Sequence, residues 1–313
     1  MQDPYVDPDT ERLLARMAGD FAGAPAEPTV QERREGLAAA AALYGPETLP
    51  VGRIEDVIID GPGGPLPLRI YYPVETRTPV PLLLHIHGGG WVLGDPAAYE
   101  RVVRAYCAMG GCVVVDVDYR RAPENRFPAA LLDCEAALAW AAANAERLGA
   151  DPARIVVTGD SAGGHLSAGL CQRTSVPLAG QVLIYPVTSA SSSADFASRD
   201  ALGDGRWFLR HFDILRAEAE YFTTPAEQDT AAGSPLSAPP KALAKSPPTL
   251  VVTASLDPLV DEGRAYAQAL EAAGVPTTYR CVEGTIHAFV LFAGQIALGR
   301  EIIEQVGAFI RAA

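Results

Sequence analysis

The sequence predicts an α/β fold, a mostly parallel eight-stranded sheet flanked by helices, and three observations predict it. Short β-branched apolar runs alternate with longer helix-compatible stretches through most of the chain, the pattern of strands joined by crossover helices. Leu82-Leu83-Leu84-His85-Ile86 is almost continuously apolar, as expected of a strand covered on both faces. Glycine clusters follow two of the runs directly, at Gly88 to Gly90 and around Ser161, where a chain needs sharp turns or close backbone approach.

Taken in order, residues from about Thr10 to Tyr44 read as two helices. Leu13, Leu14, Met17 and Phe21 recur at helical spacing, Gly23-Ala24-Pro25 interrupts them, and an Ala-rich stretch continues through Leu37 and Leu43. Such helices ahead of the first strand cover either the body or the mouth of a site. From about Arg53, Ile54, Val57 and Ile59 form one strand and Leu66 to Tyr72 the next, with Gly61-Pro62-Gly63-Gly64-Pro65 between them as a hairpin turn. Further strands are expected at Leu82 to Ile86, Cys112 to Val117, Ile155 to Thr158, Gly180 to Tyr185, Leu250 to Thr253 and Thr277 to Cys281. Helices are expected from about Pro128 to Leu148, after Ser161, from Glu262 to Ala273 and from Val290 to Ile310.

Between Pro186 and Pro248 the alternation breaks. Ser189 to Ser193 reads as a polar loop. Trp207, Phe208, Phe212, Ile214, Leu215, Tyr221 and Phe222 put aromatic and apolar side chains on an inserted helix, and a proline-rich stretch from Ser234 closes the insertion. Insertions of this kind gather above strand ends, where ligands bind, so the aromatic residues serve as core or as part of a lid.

The totals restrict function more than they define it. The 313 residues are enough for a substantial core, and 49% hydrophobic with 20% charged residues describe an ordinary soluble globular protein. A net charge of -13 argues against nucleic acid or an anionic membrane surface as partner. No secretory signal and no stretch of membrane-spanning length is recognised, which gives the expectation of a cytoplasmic protein without membrane insertion. Cys107, Cys112, Cys134, Cys171 and Cys281 are odd in number and lack Cys-x-x-Cys spacing, so they are expected to be reduced thiols with no metal to hold.

Chemistry is concentrated in a few loops. Gly159-Asp160-Ser161-Ala162-Gly163 follows a strand-like run and precedes a helix-like one, the context of a nucleophile elbow that lifts a serine hydroxyl clear of the backbone. Upstream, His87-Gly88-Gly89-Gly90-Trp91 follows a buried strand. Three glycines pack nothing there but let backbone N–H groups approach a developing oxyanion, with Ala162 supplying another donor. Downstream, Asp257 is the first acid after the strand ending at Thr253 and is preferred to Asp261, which is close enough in sequence to compete for the acid role but is expected to cap the next helix. Of the five histidines, His85 lies in a strand, His87 in the glycine loop as its hydrogen-bonding support, His165 in the helix after the serine and His211 in the insertion. Only His287 follows the last strand, in the chain order serine, acid, histidine. The expected roles are Ser161 as nucleophile, His287 as general base and acid, and Asp257 as the group that orients the imidazole. Trp91, Asp160, Trp207 and Phe208 are candidate substrate-binding residues.

With these residues in view, the chain resembles the bacterial hormone-sensitive-lipase family of esterases, α/β-hydrolases of lipolytic family IV. The blocks that carry the resemblance are HGGGW at His87 to Trp91, DYRRAPENRFPAAL at Asp118 to Leu131, GDSAGGHL at Gly159 to Leu166, DPLVDEG at Asp257 to Gly263, and His287-Ala288-Phe289. The resemblance implies an α/β-hydrolase body over residues 51–186 and 246–313. It implies a two-part helical cap from residues 1–50 and 187–245. It also implies a Ser161–Asp257–His287 triad and an oxyanion hole from Gly88, Gly89, Gly90 and Ala162. Members favour small esters with short to medium acyl chains, use no cofactor or metal, and are often homodimers. Arg121 stands where the family commonly has leucine, and Asn125-Arg126 where it has His-Pro; both departures bear on substrate choice rather than chemistry. Two alternatives stay open at this point: an amide deacetylase of the same mechanism, and a ligand-binding module of the same fold.

Overall fold

The computed structural model describes residues 4–23, 25, 27–74, 79–191 and 195–313. Ala24 of the expected helix break, Met1 to Asp3, and Ser192 and Ser193 of the expected polar loop lie outside the described residues. The strands are β1 (Arg53–Gly61), β2 (Gly64–Tyr72), β3 (Val80–Ile86), β4 (Val113–Val117), β5 (Ala150–Asp160), β6 (Gly180–Ile184), β7 (Thr249–Leu256) and β8 (Thr277–Ile286). The helices are α1 (Pro8–Asp20), α2 (Val30–Tyr44), α3 (Pro96–Gly110), α4 (Ala129–Asn144), α5 (Ala162–Arg173), α6 (Ala197–Leu202), α7 (His211–Tyr221), α8 (Pro225–Gln228), α9 (Pro240–Leu243), α10 (Val260–Ala272) and α11 (Ala297–Ala312).

Among the described residues the strands form one eight-stranded sheet in the order β1-β2-β4-β3-β5-β6-β7-β8. The β1–β2 hairpin and the β2–β4 pair are antiparallel, and every pairing from β4 to β8 is parallel. The mostly parallel architecture expected from the sequence is the one observed. Its strands are apolar on both faces because each face is roofed by helices. Leu82, Leu84 and Ile86 of β3 face a core with Leu131 and Leu138 of α4 and Leu166 and Leu170 of α5, while Leu83 joins Val103, Tyr106, Ile302 and Val306 of α3 and α11. That two-residue alternation between cores is the strand period made visible.

Three local expectations need correction. Helix α3 was not anticipated, although Asp95-Pro96 is a good start signal: Asp95 caps it by accepting the Ala98 N–H at 2.8 Å, and Pro96 occupies the first turn. The last helix begins at Ala297 rather than near Val290, since Phe289 to Ile296 is taken up by tight turns packed in the core. In the insertion, Trp207 and Phe208 precede α7 instead of lying on it, and Phe222 is its C-cap.

The segment between β6 and β7 is tied to the body by a buried ionic cluster. Glu262 of α10 accepts the Thr188 N–H at 2.8 Å and the Arg199 guanidinium at 2.7 Å, and Glu218 of α7 stands 3.5 Å from Nη1 of the same guanidinium. Burial pushes the Glu218 carboxyl up from 4.5 to about 7; Arg199 opposes the rise and Glu262 adds to it. A carboxyl raised on folding favours the folded state fully below its ordinary pKa, and that contribution is lost as pH climbs through the folded value. Stability is therefore expected to decline between pH 4.5 and 7 on account of Glu218. Thermal unfolding of Glu218→Gln should give a Tm above the parent by a few degrees at pH 8 and no difference near pH 4; a pH-independent difference would refute this account.

Candidate active site

The site is assembled at the C-terminal ends of the central strands. Strand β5 ends at Asp160 and α5 begins at Ala162, so Ser161 is the single residue that turns the chain, at φ 52° and ψ −119°. A non-glycine residue there is strained and persists only because its surroundings hold it. The Ser161 N–H donates to the Ile184 carbonyl at 2.9 Å, and its own carbonyl accepts from His165 and Val187 at 3.0 and 3.1 Å. The turn closes because Gly159 and Gly163 have no side chains. A Cβ on Gly163 would lie 2.0 Å from the Ile86 oxygen, and one on Gly159 would lie 2.3 Å from the Gly163 oxygen.

Strand register brings the acid and the histidine to this serine. Leu256 of β7 pairs with Ile286 of β8, so Asp257 and His287 leave neighbouring strands side by side. His287 Nδ1 is 2.7 Å from Asp257 Oδ2, and His287 Nε2 is 2.9 Å from Ser161 Oγ. The other Asp257 oxygen accepts the Leu259 N–H at 2.9 Å, which holds the carboxylate in plane. With that carboxylate as acceptor, Nδ1 carries the proton and Nε2 is left bare to accept from the Ser161 hydroxyl. All three side chains are buried, Asp257 completely. Asp261 does not cap α10 as expected: it lies in the first turn, accepts the Ser198 N–H at 3.0 Å, and Leu259 is the N-cap residue.

The glycine loop faces the serine from β3. Ile86 pairs with Gly159, so the residues beyond them, Gly88 and Asp160, come into contact. The Gly88 N–H donates to Asp160 Oδ1 at 2.9 Å, and the Tyr99 hydroxyl donates to Oδ2 at 3.0 Å. This corrects one expectation: the Gly88 N–H is committed to Asp160 and is not free for an oxyanion. Asp160, expected as a substrate contact, borders the cavity and also clamps the loop. Burial pushes the Asp160 carboxyl up, and nearby His85, the Tyr99 hydroxyl, His287 and the Gly88 N–H pull it back. Gly89 sits at φ 113°, where a Cβ would meet the Leu93 oxygen at 2.5 Å. Among the described residues no acceptor takes the N–H of Gly89, Gly90 or Ala162. For Ala162 this follows from its place at the helix N-terminus, where the first N–H groups have no intrahelical partner. Gly89 and Gly90 border the same cavity as Ser161, and Ala162 follows it directly in the chain.

The loop is supported from behind. His87 donates from Nδ1 to the Gly88 carbonyl at 2.9 Å, and burial lowers its imidazole to about 4. Tyr119 stacks on His87 at 4.2 Å and donates its hydroxyl to the His87 carbonyl at 2.9 Å. His85 hydrogen-bonds Asp116 at 2.7 Å within the sheet, and His211 meets Asp200 at the surface. Tyr99 and Tyr119 escaped the sequence reading. Tyr99 belongs to the unanticipated helix α3, and Tyr119 in DYRRAP looks like any core aromatic.

Above Ser161 lies a cavity of about 260 Å³. Leu37 comes from α2, Phe208, Leu209, Ile214 and Ala217 from the insertion, and Leu291 from the turns after His287. Phe208 borders the cavity as anticipated for it, edge-on to Phe292 at 5.3 Å. Trp207 does not line it: the indole turns instead toward the core beneath. Trp91 borders it, with its indole 1% exposed and stacked on Tyr221. A larger hollow of about 610 Å³, lined by Arg126, His211 and Glu218 among others, does not include the serine or His287.

A family model described as alpha/beta hydrolase fold matches residues 83–291. The chain belongs to the α/β-hydrolase family. It is 36% identical over 297 residues to carboxylesterase NlhH of Mycobacterium tuberculosis, which covers 93% of this chain and 90% of that protein. It is 36% identical to an arylesterase of Saccharolobus solfataricus across 84% of each chain. Among solved structures, a hyperthermophilic esterase of Pyrobaculum calidifontis superposes with a TM-score of 0.89 at 34% identity over 98% of each chain. These likenesses agree with the hormone-sensitive-lipase-like esterases that the sequence blocks resemble. Among the described residues no helix is long and apolar enough to cross a membrane.

The Asp160 clamp has a measurable consequence for this α/β-hydrolase. Asp160→Ala leaves the Gly88 N–H buried without an acceptor, which costs about 1–3 kcal/mol locally and frees the loop to relax. Ester turnover should fall by about 10-fold or more in kcat with KM within about 3-fold, the split expected if the loop carries donors for an oxyanion. Asp160→Asn, which keeps an acceptor oxygen, should lose less; equal rates for all three proteins would refute the clamp.

Proposed function

We propose that this protein is a serine carboxylesterase that hydrolyses short- to medium-chain acyl esters through an acyl-enzyme on Ser161. The observation that carries the reading is the Ser161–His287–Asp257 row, with contacts of 2.9 and 2.7 Å, set beside the free N–H groups of Gly89, Gly90 and Ala162. His287 Nε2 takes the Ser161 proton as Oγ attacks the ester carbonyl carbon. The carbonyl oxygen becomes an anion held by the three N–H groups, each such donor contributing typically about 3–4 kcal/mol. As the C–O bond to the alcohol breaks, His287 returns the proton to the leaving oxygen. Water, deprotonated by the same nitrogen, then attacks the acyl-enzyme and releases the acid. Asp257 holds Nδ1–H throughout and stabilises the imidazolium formed in each half-reaction.

Cavity size and lining support the substrate class. At about 260 Å³ the space lies at the small end for a ligand site and is shared by acyl chain, reacting carbonyl and leaving group. Its walls are apolar near the serine, which suits alkyl chains. The names of the relatives, carboxylesterase and arylesterase, agree. Residues 1–50 and 187–245 act in this reading as a two-part cap, supplying Leu37 and the Phe208 to Ala217 wall respectively. Five free cysteines, four of them buried, suit a reducing cytoplasm. A homodimer is carried by the family resemblance, and sedimentation velocity reads it directly.

Ser161→Ala should abolish hydrolysis of a short p-nitrophenyl ester, and activity within about 10-fold of the parent would overturn the assignment. Across a series of p-nitrophenyl esters, kcat/KM should peak at acyl lengths of about C4 to C6 and fall once the chain outgrows the cavity. A rate still rising at long chains would refute the size limit while leaving the chemistry intact.

A further inference from the structure

The proposed oxyanion hole is made from two separate pieces of chain. Gly89 and Gly90 belong to the loop after β3, and Ala162 begins α5. Their donors can converge only if something sets the loop at a constant distance from the helix. In that loop the glycines are followed by Trp91, which sits at φ 61°, a strained conformation for a side chain of that size. Its backbone carbonyl accepts the Ala122 N–H at 2.9 Å. The indole stacks nearly parallel on Tyr221 of α7, centroids 4.7 Å apart at 5°, and lies edge-on to His165 at 5.2 Å.

One turn into α5, His165 is fully buried and joins three pieces of the molecule. Its Nε2 is 3.1 Å from the Gly233 carbonyl in the insertion, and its Nδ1 is 3.2 Å from Trp91 Nε1. A carbonyl only accepts, so Nε2 carries the proton; an indole only donates, so Nδ1 is the bare acceptor. One neutral tautomer satisfies both partners, and protonation would break the Trp91 bond. Burial lowers this imidazole to about 4, so the required neutral form prevails at the pH where an esterase works.

We infer that His165 is a positioning residue for the oxyanion hole, accepting the Trp91 indole proton and thereby holding the Gly89–Gly90 donors in register with Ala162. This rests on the esterase reading above. Nothing in the chemical steps uses His165, and core packing alone would not call for a buried imidazole with both nitrogens committed. The contact runs from the elbow helix to the residue directly after the glycines, and the stacked Tyr221 extends it to α7.

The test begins with the unaltered protein, which must hydrolyse a short p-nitrophenyl ester and react with a fluorophosphonate at Ser161. Failure there defeats the esterase reading and is recognised before any His165 variant is made. Two variants then remove the bond from either side. His165→Leu takes away the acceptor. Trp91→Phe keeps an aromatic ring for the Tyr221 stack and deletes the N–H together with part of the indole's bulk. Rates are referred to the concentration of reactive serine from fluorophosphonate titration, so a misfolded fraction drops out. Both variants should lower kcat by about 10-fold or more with KM within about 3-fold. Both should also weaken inhibition by a trifluoromethyl ketone, whose tetrahedral adduct puts an oxyanion in the hole, by a similar factor. The double variant should be no worse than the poorer single one, because both act through one bond. His165→Asn, which restores an acceptor near the Nδ1 position, should recover part of the loss. A kcat within about 2-fold of the parent in both single variants, an unchanged ketone affinity, or fully additive losses would overturn the inference.

Discussion

The molecule depends on one close approach, that of helix α5 against the end of strand β3. At Gly163 the helix backbone comes so near the Ile86 carbonyl that a single added carbon would overlap it. Both partners are buried main chain, one in a central strand and one in a helix, so neither can yield without disrupting the sheet. That contact makes the turn at Ser161 sharp and brings the free N–H of Ala162 toward the glycine loop. The strain at Ser161, of order 1–3 kcal/mol for such a conformation, is offset by the backbone bonds to Ile184, His165 and Val187 that enclose it.

Around that contact, buried polar groups do what an apolar core could not. Apolar packing is tolerant of direction, whereas hydrogen bonds specify it. Asp160 ties the glycine loop to the elbow, His87 and Tyr119 brace it from beneath, and Leu259 holds Asp257 in plane. The site is therefore rigid on the sheet side. On the opposite side the cavity wall comes from α2 and α7, joined by the Arg33–Glu220 contact of 2.5 Å and by the Arg216 bond to the Pro28 carbonyl at 2.8 Å. Chemistry is set by the body, and the space available to substrate by elements whose sequences obey no comparable backbone constraint.

The sheet and the three side chains of the Ser161–His287–Asp257 row were legible because each is announced locally. Strands buried on both faces must be apolar throughout, and a serine between glycines after such a strand has few other uses. Helix α3 was passed over because Tyr99, Val102, Val103 and Tyr106 alternate with arginines and alanines and follow the conspicuous glycine loop. The late start of α11 and the division of the insertion into short helices reflect tertiary packing of Phe289 to Ile296 and of the Glu218–Arg199–Glu262 cluster, which no local pattern signals.

By itself, then, the sequence determined the alternation of strand and helix, the elbow, the glycine loop and the order serine, acid, histidine, because each follows from the conformations and periodicities of adjacent residues. Only the tertiary structure decided that the Gly88 N–H serves Asp160, that Trp207 stays out of the cavity lining, and that His165 meets Trp91. Those outcomes depend on strand register and on contacts across 68 to 74 positions of chain. A hydrogen-bond donor has one proton to give, and which acceptor receives it is settled by proximity in space.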